Sequence, residues 1–170
     1  MVDIKSANGQ VTELYNQLKP IINSIVDKNA KSLDDIIKKV KNNLTTLTNK
    51  EIQDIILQLS IETYYFSTIK DMSILKQECS IALMKEKQAS VYNGTDGTQA
   101  TRNNQAVMET LDKQTVQILY NAVSNCMKSK LDEAHRIVNM LSSVLISRNA
   151  EAKLKGVPDN DIHNNFNESD

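Results

Sequence analysis

Two glycines within four positions, Gly94 and Gly97, raise the first question about chemistry in this sequence. The GTDG segment that they bound matches the G-x-x-G loop of KH domains, but no strand pattern surrounds it, as that fold requires. It lacks the Gly-Lys-Ser/Thr ending of a phosphate-binding P-loop and the ligand spacing of a calcium-binding EF-hand. We therefore expect a plain turn that joins two helices, with Thr98 or Thr101 as the cap of the second helix.

The nucleophilic and metal-binding residue types lie too far apart to predict a catalytic site. Asp132–His135 reads DEAH, a helicase signature, but that signature follows a strand and works with a P-loop, and neither is evident. His163 is distant, and Cys79 and Cys126 have no CxxC spacing. No Ser or Cys has a base partner at a recognisable spacing. We predict a protein that is not an enzyme, with no metal site and no cofactor.

The basic residues form two clusters that have the right chemistry for phosphates. Lysine and arginine neutralise the backbone of nucleic acids, and an aromatic ring stacks on a base. The tentative nucleic-acid-binding cluster, near the turn, comprises Lys85, Lys87, Tyr92 and Arg102. The alternative basic cluster comprises Lys38, Lys39, Lys41, Arg148, Lys153 and Lys155. Both clusters can also be explained as solvated helix faces that bind no ligand.

The composition favours long helices and gives no global attraction to nucleic acid. Among 170 residues, aromatics are 4%, Trp is absent, and there are four Gly and two Pro. Few breakers and few aromatics argue against a sheet-rich fold. The formal net charge is −1, so any phosphate site must be a local patch. The longest apolar-rich run, residues 137–146, is too short to span a bilayer, and the first residues do not resemble a signal peptide. We expect a cytoplasmic protein with free thiols.

Two long segments without Gly or Pro predict two long helices. Thr48 and Glu51 form a capping box, with Leu47 and Ile52 at the staple positions, so the first long helix begins at Thr48 and runs to about Tyr92. The second runs from about residue 101 to 155 and carries a heptad seam of apolar residues. That seam is Met127, Leu131, Ala134, Val138, Leu141 and Leu145.

The N-terminal part predicts two shorter helices. Pro20 lacks the N–H that the helix needs and should kink or split it, and Ser32 is a good N-cap for the next helix. The expected fold is therefore all-α: a long antiparallel helical hairpin, coiled-coil-like, with two shorter N-terminal helices. The predicted divisions are short helices over residues 1–47, the hairpin over 48–156 and a disordered acidic tail over 157–170.

A hairpin this long exposes a seam that two short helices cannot cover, which predicts a homo-oligomer. Tyr64, Tyr65 and Phe66 point in three directions around a helix, so the N-terminal helices or a second subunit should cover them. Cys79 and Cys126 should lie at levels about 20 Å apart in the hairpin, too far for a disulfide.

From about Ile81 to Asn149, the order of features resembles the recombination mediator of T4-type phages. The shared features are the Lys-containing helix ALMKEKQASVY, the turn NGTDG, a polar stretch and a final helix that ends in VLISRN. That family consists of small helical proteins that oligomerise and load recombinase onto single-stranded DNA. The resemblance implies an accessory factor in phage DNA recombination or replication, in the host cytoplasm, with single-stranded DNA and a recombinase as partners. The alternatives are a virion structural or scaffold protein and a helical inhibitor of a host protein.

Overall fold

The computed structural model describes residues 4–154, with side chains from Val11 onward. Four α-helices make up this part of the chain, and it contains no strand. They are α1 (Ile4–Asn43), α2 (Asn49–Gly94), α3 (Gln99–Met108) and α4 (Leu111–Leu154). The all-α prediction is confirmed. The tail predicted to be disordered lies outside the described residues.

The prediction of two shorter N-terminal helices is wrong, because α1 is one helix of 40 residues with Pro20 inside it. Pro20 removes the hydrogen bond that the Asn16 carbonyl would accept. Both residues are exposed, so water can solvate the freed carbonyl. Ser32 is likewise exposed within α1 and caps nothing. The buried stripe of Val26, Ala30 and Leu33 continues through this region, and its packing outweighs the local break signals.

The start of α2 follows the predicted capping box. The Thr48 N–H donates to Glu51 Oε2 at 2.8 Å, and the Glu51 N–H donates to Thr48 Oγ1 at 3.2 Å. These hydrogen bonds, first from the Thr48 backbone and then from its hydroxyl, lower the pKa of Glu51 below its usual value. Leu47 and Ile52 are both buried at the staple positions. α2 therefore begins at Asn49, within one residue of the prediction.

The Gly-containing segment is a short connection from α2 to α3. Gly97 has a φ of +121°, a conformation that side chains disfavour. Thr98 then caps α3, and its side chain accepts a hydrogen bond from the Thr101 N–H. This confirms Thr98 as one of the two predicted caps, and the segment carries none of the phosphate or metal loop patterns.

The second long helix is interrupted, contrary to the prediction of one helix from about residue 101. α3 ends at Met108 and α4 begins at Leu111. The buried Thr110 hydroxyl lies 3.0 Å from the carbonyl oxygens of both Ala106 and Val107, so the side chain bonds to the backbone of the preceding turn. The Thr110 N–H also donates to the Val107 carbonyl at 3.1 Å, so a tighter turn ends α3 there without a Gly or Pro.

The chain divides into two compact units. The first comprises Met1–Lys31 with Tyr64–Leu131, and the second comprises Ser32–Thr63 with Asp132–Asp170. In the first unit, contacts run in antiparallel order: Ser73 Oγ lies 3.9 Å from Met127 Sδ, and Ser80 Oγ donates to the Lys113 carbonyl at 2.8 Å. Farther along α2, Gln88 Nε2 donates to Thr110 Oγ1 at 3.2 Å. The hydroxyls on this buried side are thus satisfied.

The second unit has an apolar core of its own and polar contacts at its edge. Lys41 Nζ pairs with Glu133 Oε1 at 2.6 Å. The Asn49 amide nitrogen lies 3.5 Å from Asn149 Oδ1. Its most deeply buried residues are Leu33, Val40, Ile52, Ile55, Leu59, Ala134 and Leu141. Ala134 and Leu141 belong to the predicted heptad seam, whose first-unit members Met127 and Leu131 are buried too. Among residues 4–154, no helix has the length and apolarity needed to cross a bilayer.

Candidate functional site

Tyr92 and Arg102, both in the predicted nucleic-acid-binding cluster, contact each other. The Arg102 guanidinium carbon lies 5.8 Å from the centre of the Tyr92 ring, within cation–π distance. Arg102 Nε also donates to the Gly97 carbonyl at 3.1 Å. The turn at Gly97 and the cap of α3 therefore position a guanidinium over the end of α2. Both side chains are half-buried.

The two lysines of this cluster differ in their surroundings. Both are exposed, but Lys87 Nζ lies 3.3 Å from Glu109 Oε2. A hydrogen bond from Gln105, and then the contact with Lys87, lower the pKa of Glu109 below its usual value. Glu109 is therefore ionised at neutral pH and offsets the charge of Lys87. The net positive charge of the cluster is therefore smaller than its number of basic residues suggests.

A groove that sequence reasoning missed lies beside Tyr92. Its volume is about 540 Å³. Its walls come from the end of α2 and from α3: Gln88, Ala89, Tyr92, Asn93, Asn103, Ala106 and Val107. Three of these side chains are amides, which both donate and accept hydrogen bonds. The Asn-rich composition of residues 93–104 was the sequence signal for this groove. Asn is common in turns, however, because its side chain bonds to the nearby backbone.

Two members of the alternative basic cluster, Arg148 and Lys41, make contacts within the second unit. Arg148 donates to the Leu47 carbonyl at 2.6 Å and lies 3.4 Å from Asn49 Oδ1, so it secures the chain where α2 begins. Lys41 pairs with Glu133. Lys38 and Lys39 are exposed on α1, Lys153 is exposed on α4, and Lys155 lies outside the described residues. Arg148 thus stabilises the fold where α2 begins.

An exposed apolar face runs along α2 in the first unit. Met72, Leu75 and Leu83 are 53%, 50% and 54% exposed, and Tyr65 is 62% exposed. With the exposed Cys79, they fall within an arc of about 80° at 100° per residue. We call Tyr65, Met72, Leu75, Cys79 and Leu83 the outer face of α2. Of the three adjacent aromatic residues that were expected to be covered, only Phe66 is buried. Tyr64 is exposed, and its ring packs edge-on against the Tyr65 ring, with centres 5.7 Å apart.

The outer face forms one wall of a second groove. α2 contributes Met72, Leu75, Lys76, Cys79, Ser80 and Leu83, and α4 contributes Lys113, Val116 and Tyr120. Its volume is about 430 Å³. The Lys76 ammonium lies 5.2 Å from the centre of the Tyr120 ring, and Lys113 pairs with its neighbour Asp112 at 3.2 Å. The walls are mainly apolar, as in grooves that bind helices.

The residues that suggested catalytic chemistry are not brought together. Within residues 4–154, no three His, Cys, Asp or Glu side chains are grouped so that they could hold a metal ion. His135 is exposed on α4, and Glu133 of the DEAH segment pairs with Lys41. Cys79 and Cys126 are both free and exposed, which confirms the prediction of free thiols.

Comparison with known proteins found no relative of this chain. No protein-family model matches the chain, nor does any curated protein or solved structure. The function must therefore be inferred from the described surfaces.

Proposed function

We propose that this chain is a non-enzymatic helical protein that acts by self-association and by binding partner proteins. In this proposal α2 and α4 form a coiled-coil-like antiparallel hairpin, consistent with the order of contacts in the first unit. The observation that carries the proposal is the outer face of α2, where large apolar side chains are exposed in one continuous stripe.

The exposure of this face needs a physical explanation because α2 already buries another face. Phe66, Ser73, Ser80 and Val91 are all buried on that face, about 110° around the helix from the outer face. A contiguous exposed apolar patch usually marks an interaction surface. A partner that covers Met72, Leu75 and Leu83 would remove this surface from water. At about 25 cal/mol per Å², covering it is favourable.

Sedimentation equilibrium over a range of protein concentrations tests the proposal. The wild-type protein should form a discrete oligomer. The double variant Leu75→Gln, Leu83→Gln should shift toward the monomer while its helical circular dichroism is unchanged, since both side chains are exposed. A matched control is Val11→Gln with Ile146→Gln, which alters two exposed apolar residues elsewhere. The control should sediment as the wild type does. A wild-type protein that is monomeric at every concentration contradicts the proposal.

A second candidate function is an accessory role in phage-type DNA recombination, through binding of single-stranded DNA. The supporting observation is the Tyr92–Arg102 pair beside a groove with three amide side chains. Arg102 and Lys85 offer cations to phosphates, and the amides offer hydrogen bonds to base edges. This role accords with the resemblance of residues 81–149 to the recombination mediator of T4-type phages, which implies a recombinase as the protein partner.

The salt dependence of oligonucleotide binding tests this second function. Replacing Lys85, Lys87 and Arg102 with Gln should lower the log–log salt slope by about 2, at roughly 0.7 per phosphate on a single strand. Tyr92→Ala should weaken binding by about 1–3 kcal/mol without changing that slope. No binding by wild-type protein at low salt rules the function out. An unchanged triple variant moves the site to the alternative cluster at Lys38, Lys39 and Lys153.

A further inference from the structure

The short helix α3 buries little of its own surface. Ala106 is the one buried residue among its ten, Gln99–Met108. The two large apolar residues that follow it, Val107 and Met108, are 46% and 67% exposed. A helix in a protein is stabilised mainly by packing of its apolar face, so α3 gains little from its position in the fold.

The sequence of α3 adds little stability of its own. Isolated helices shorter than about 12–15 residues are marginal in water, and α3 has 10 residues. Asn103 and Asn104, near its centre, belong to the weaker helix formers. The Thr98 cap satisfies one N–H group at the start. If α3 detaches from its surroundings, we therefore expect it to unfold.

The contacts between α3 and α2 are polar and partly solvated. Lys87 Nζ lies 3.3 Å from Glu109 Oε2, at the residue that follows α3, and the two side chains are 45% and 42% exposed. The Arg102 guanidinium lies over the Tyr92 ring. Exposed ion pairs contribute little to stability. The remaining walls of the two helices line an open groove of about 540 Å³, which leaves little packed contact between them.

The backbone is interrupted on both sides of α3. Gly97, just before the Thr98 cap, has a φ of +121°. After α3, the buried Thr110 accepts a hydrogen bond from Gln88 Nε2 at 3.2 Å, and its carbonyl accepts the Gln114 N–H at 3.0 Å as α4 begins. Thr110 thus ties the start of α4 to α2 without α3. The helical hydrogen bonds of α3 can therefore break while those of α2 and α4 persist.

We propose that α3 is a flap that opens by local unfolding, while α2 and α4 stay folded. This inference does not depend on the proposed self-association. Its consequence falls on the groove beside Tyr92, because α3 supplies Asn103, Ala106 and Val107 to the walls and carries Arg102. Opening dismantles the groove and the Tyr92–Arg102 pair together. A ligand that contacts both walls binds the closed form alone and shifts the flap toward it.

Native-state hydrogen exchange, measured by mass spectrometry of peptides, tests the flap in the wild-type protein. At neutral pH the amides of residues 103–108 should exchange at least roughly tenfold faster than those of residues 119–126 in α4. Low urea should leave the α3 rate nearly unchanged, because opening exposes little surface, and should speed exchange in α4. Equal rates in the two segments, or an equal response to urea, overturn the proposal.

Met127→Ala separates local opening from unfolding of the whole unit. It removes a fully buried side chain of α4, so the amides of residues 119–126 should exchange at least roughly tenfold faster. The amides of α3 should keep their wild-type rate. An equal acceleration in α3 shows that it unfolds only with its neighbours and overturns the proposal. The urea series on the wild type gives the same decision if this variant does not fold.

Asn104→Ala tests whether α3 loses its helix when it opens. Asn104 is exposed, and Ala is the better helix former, so exchange in α3 should slow roughly threefold. The matched control is Asn139→Ala, the same change at an exposed position of α4, which should leave the α3 rate unchanged. An Asn104→Ala protein with the wild-type rate in α3 contradicts opening by local unfolding.

Discussion

The two faces of α2 have similar apolar character but different surroundings. Ile52, Leu59 and Phe66 are at most 2% exposed, whereas Met72 and Leu75 on the outer face are at least 50% exposed. The inner face is enclosed by the chain itself, whereas the outer face lines an open groove with Lys113, Val116 and Tyr120 of α4 and stays about half exposed. The difference shows that α2 carries more apolar surface than one chain covers, and this excess is the basis of the proposed association.

The largest expected difference between the faces is in folding stability. Leu59→Ala removes a fully buried side chain and leaves a cavity, so it should lower the free energy of unfolding by about 2–5 kcal/mol. Leu75→Ala should change it by no more than about 0.5 kcal/mol in dilute protein, since the side chain is exposed there. Urea unfolding below the concentration of association measures both. Equal losses at the two positions contradict the distinction between the faces.

Arg148 tests how the start of α2 is held. Arg148→Gln loses a charged hydrogen bond to the Leu47 carbonyl and should lower the free energy of unfolding by about 1.5–3 kcal/mol. Arg136→Gln is the control, because Arg136 is exposed and bonds to a carbonyl of its own helix. Thermal unfolding measured by circular dichroism compares them. If Arg148→Gln is as stable as the control, Arg148 is free to serve the alternative basic cluster.

The smallest expected effect is the pH dependence contributed by Glu51. Its pKa is lowered in the folded protein, so its contribution to stability is complete above the usual value near 4.5 and is lost as pH falls through the lowered value. The difference in unfolding free energy between wild type and Glu51→Gln should therefore shrink as pH falls from 7 to 3. Glu86→Gln controls for loss of a surface carboxylate on α2. A difference that grows toward low pH contradicts the capping role.

Local signals predicted local structure well. The Thr48–Glu51 box and the Thr98 cap act within four residues, and the structure shows the hydrogen bonds that the spacing implies. The errors arose where tertiary packing decides. Pro20 does not end α1, because the buried stripe at Val26 and Ala30 continues past it. The break before α4 falls at the buried Thr110, where no Gly or Pro marks it in the sequence.

The sites were predicted less well than the helices because side-chain partners come from distant positions. Arg148 and Lys87 have the composition of phosphate ligands, yet Arg148 holds the Leu47 carbonyl and Lys87 contacts Glu109. Apolar periodicity on α2 likewise cannot separate the inner face from the outer face, since both repeat at helical spacing. Only the positions of α1, α3 and α4 show which face is covered.

Oxidation of methionines tests most directly whether the outer face of α2 is covered in solution. Met72 and Met108 are 53% and 67% exposed in the single chain, so dilute hydrogen peroxide should oxidise both at similar rates in the monomer. At concentrations where the protein associates, mass spectrometry of peptides should show Met72 oxidising several-fold more slowly than Met108. In the Leu75→Gln, Leu83→Gln variant this protection should disappear. Equal oxidation of Met72 and Met108 in wild-type protein at every concentration would contradict the account.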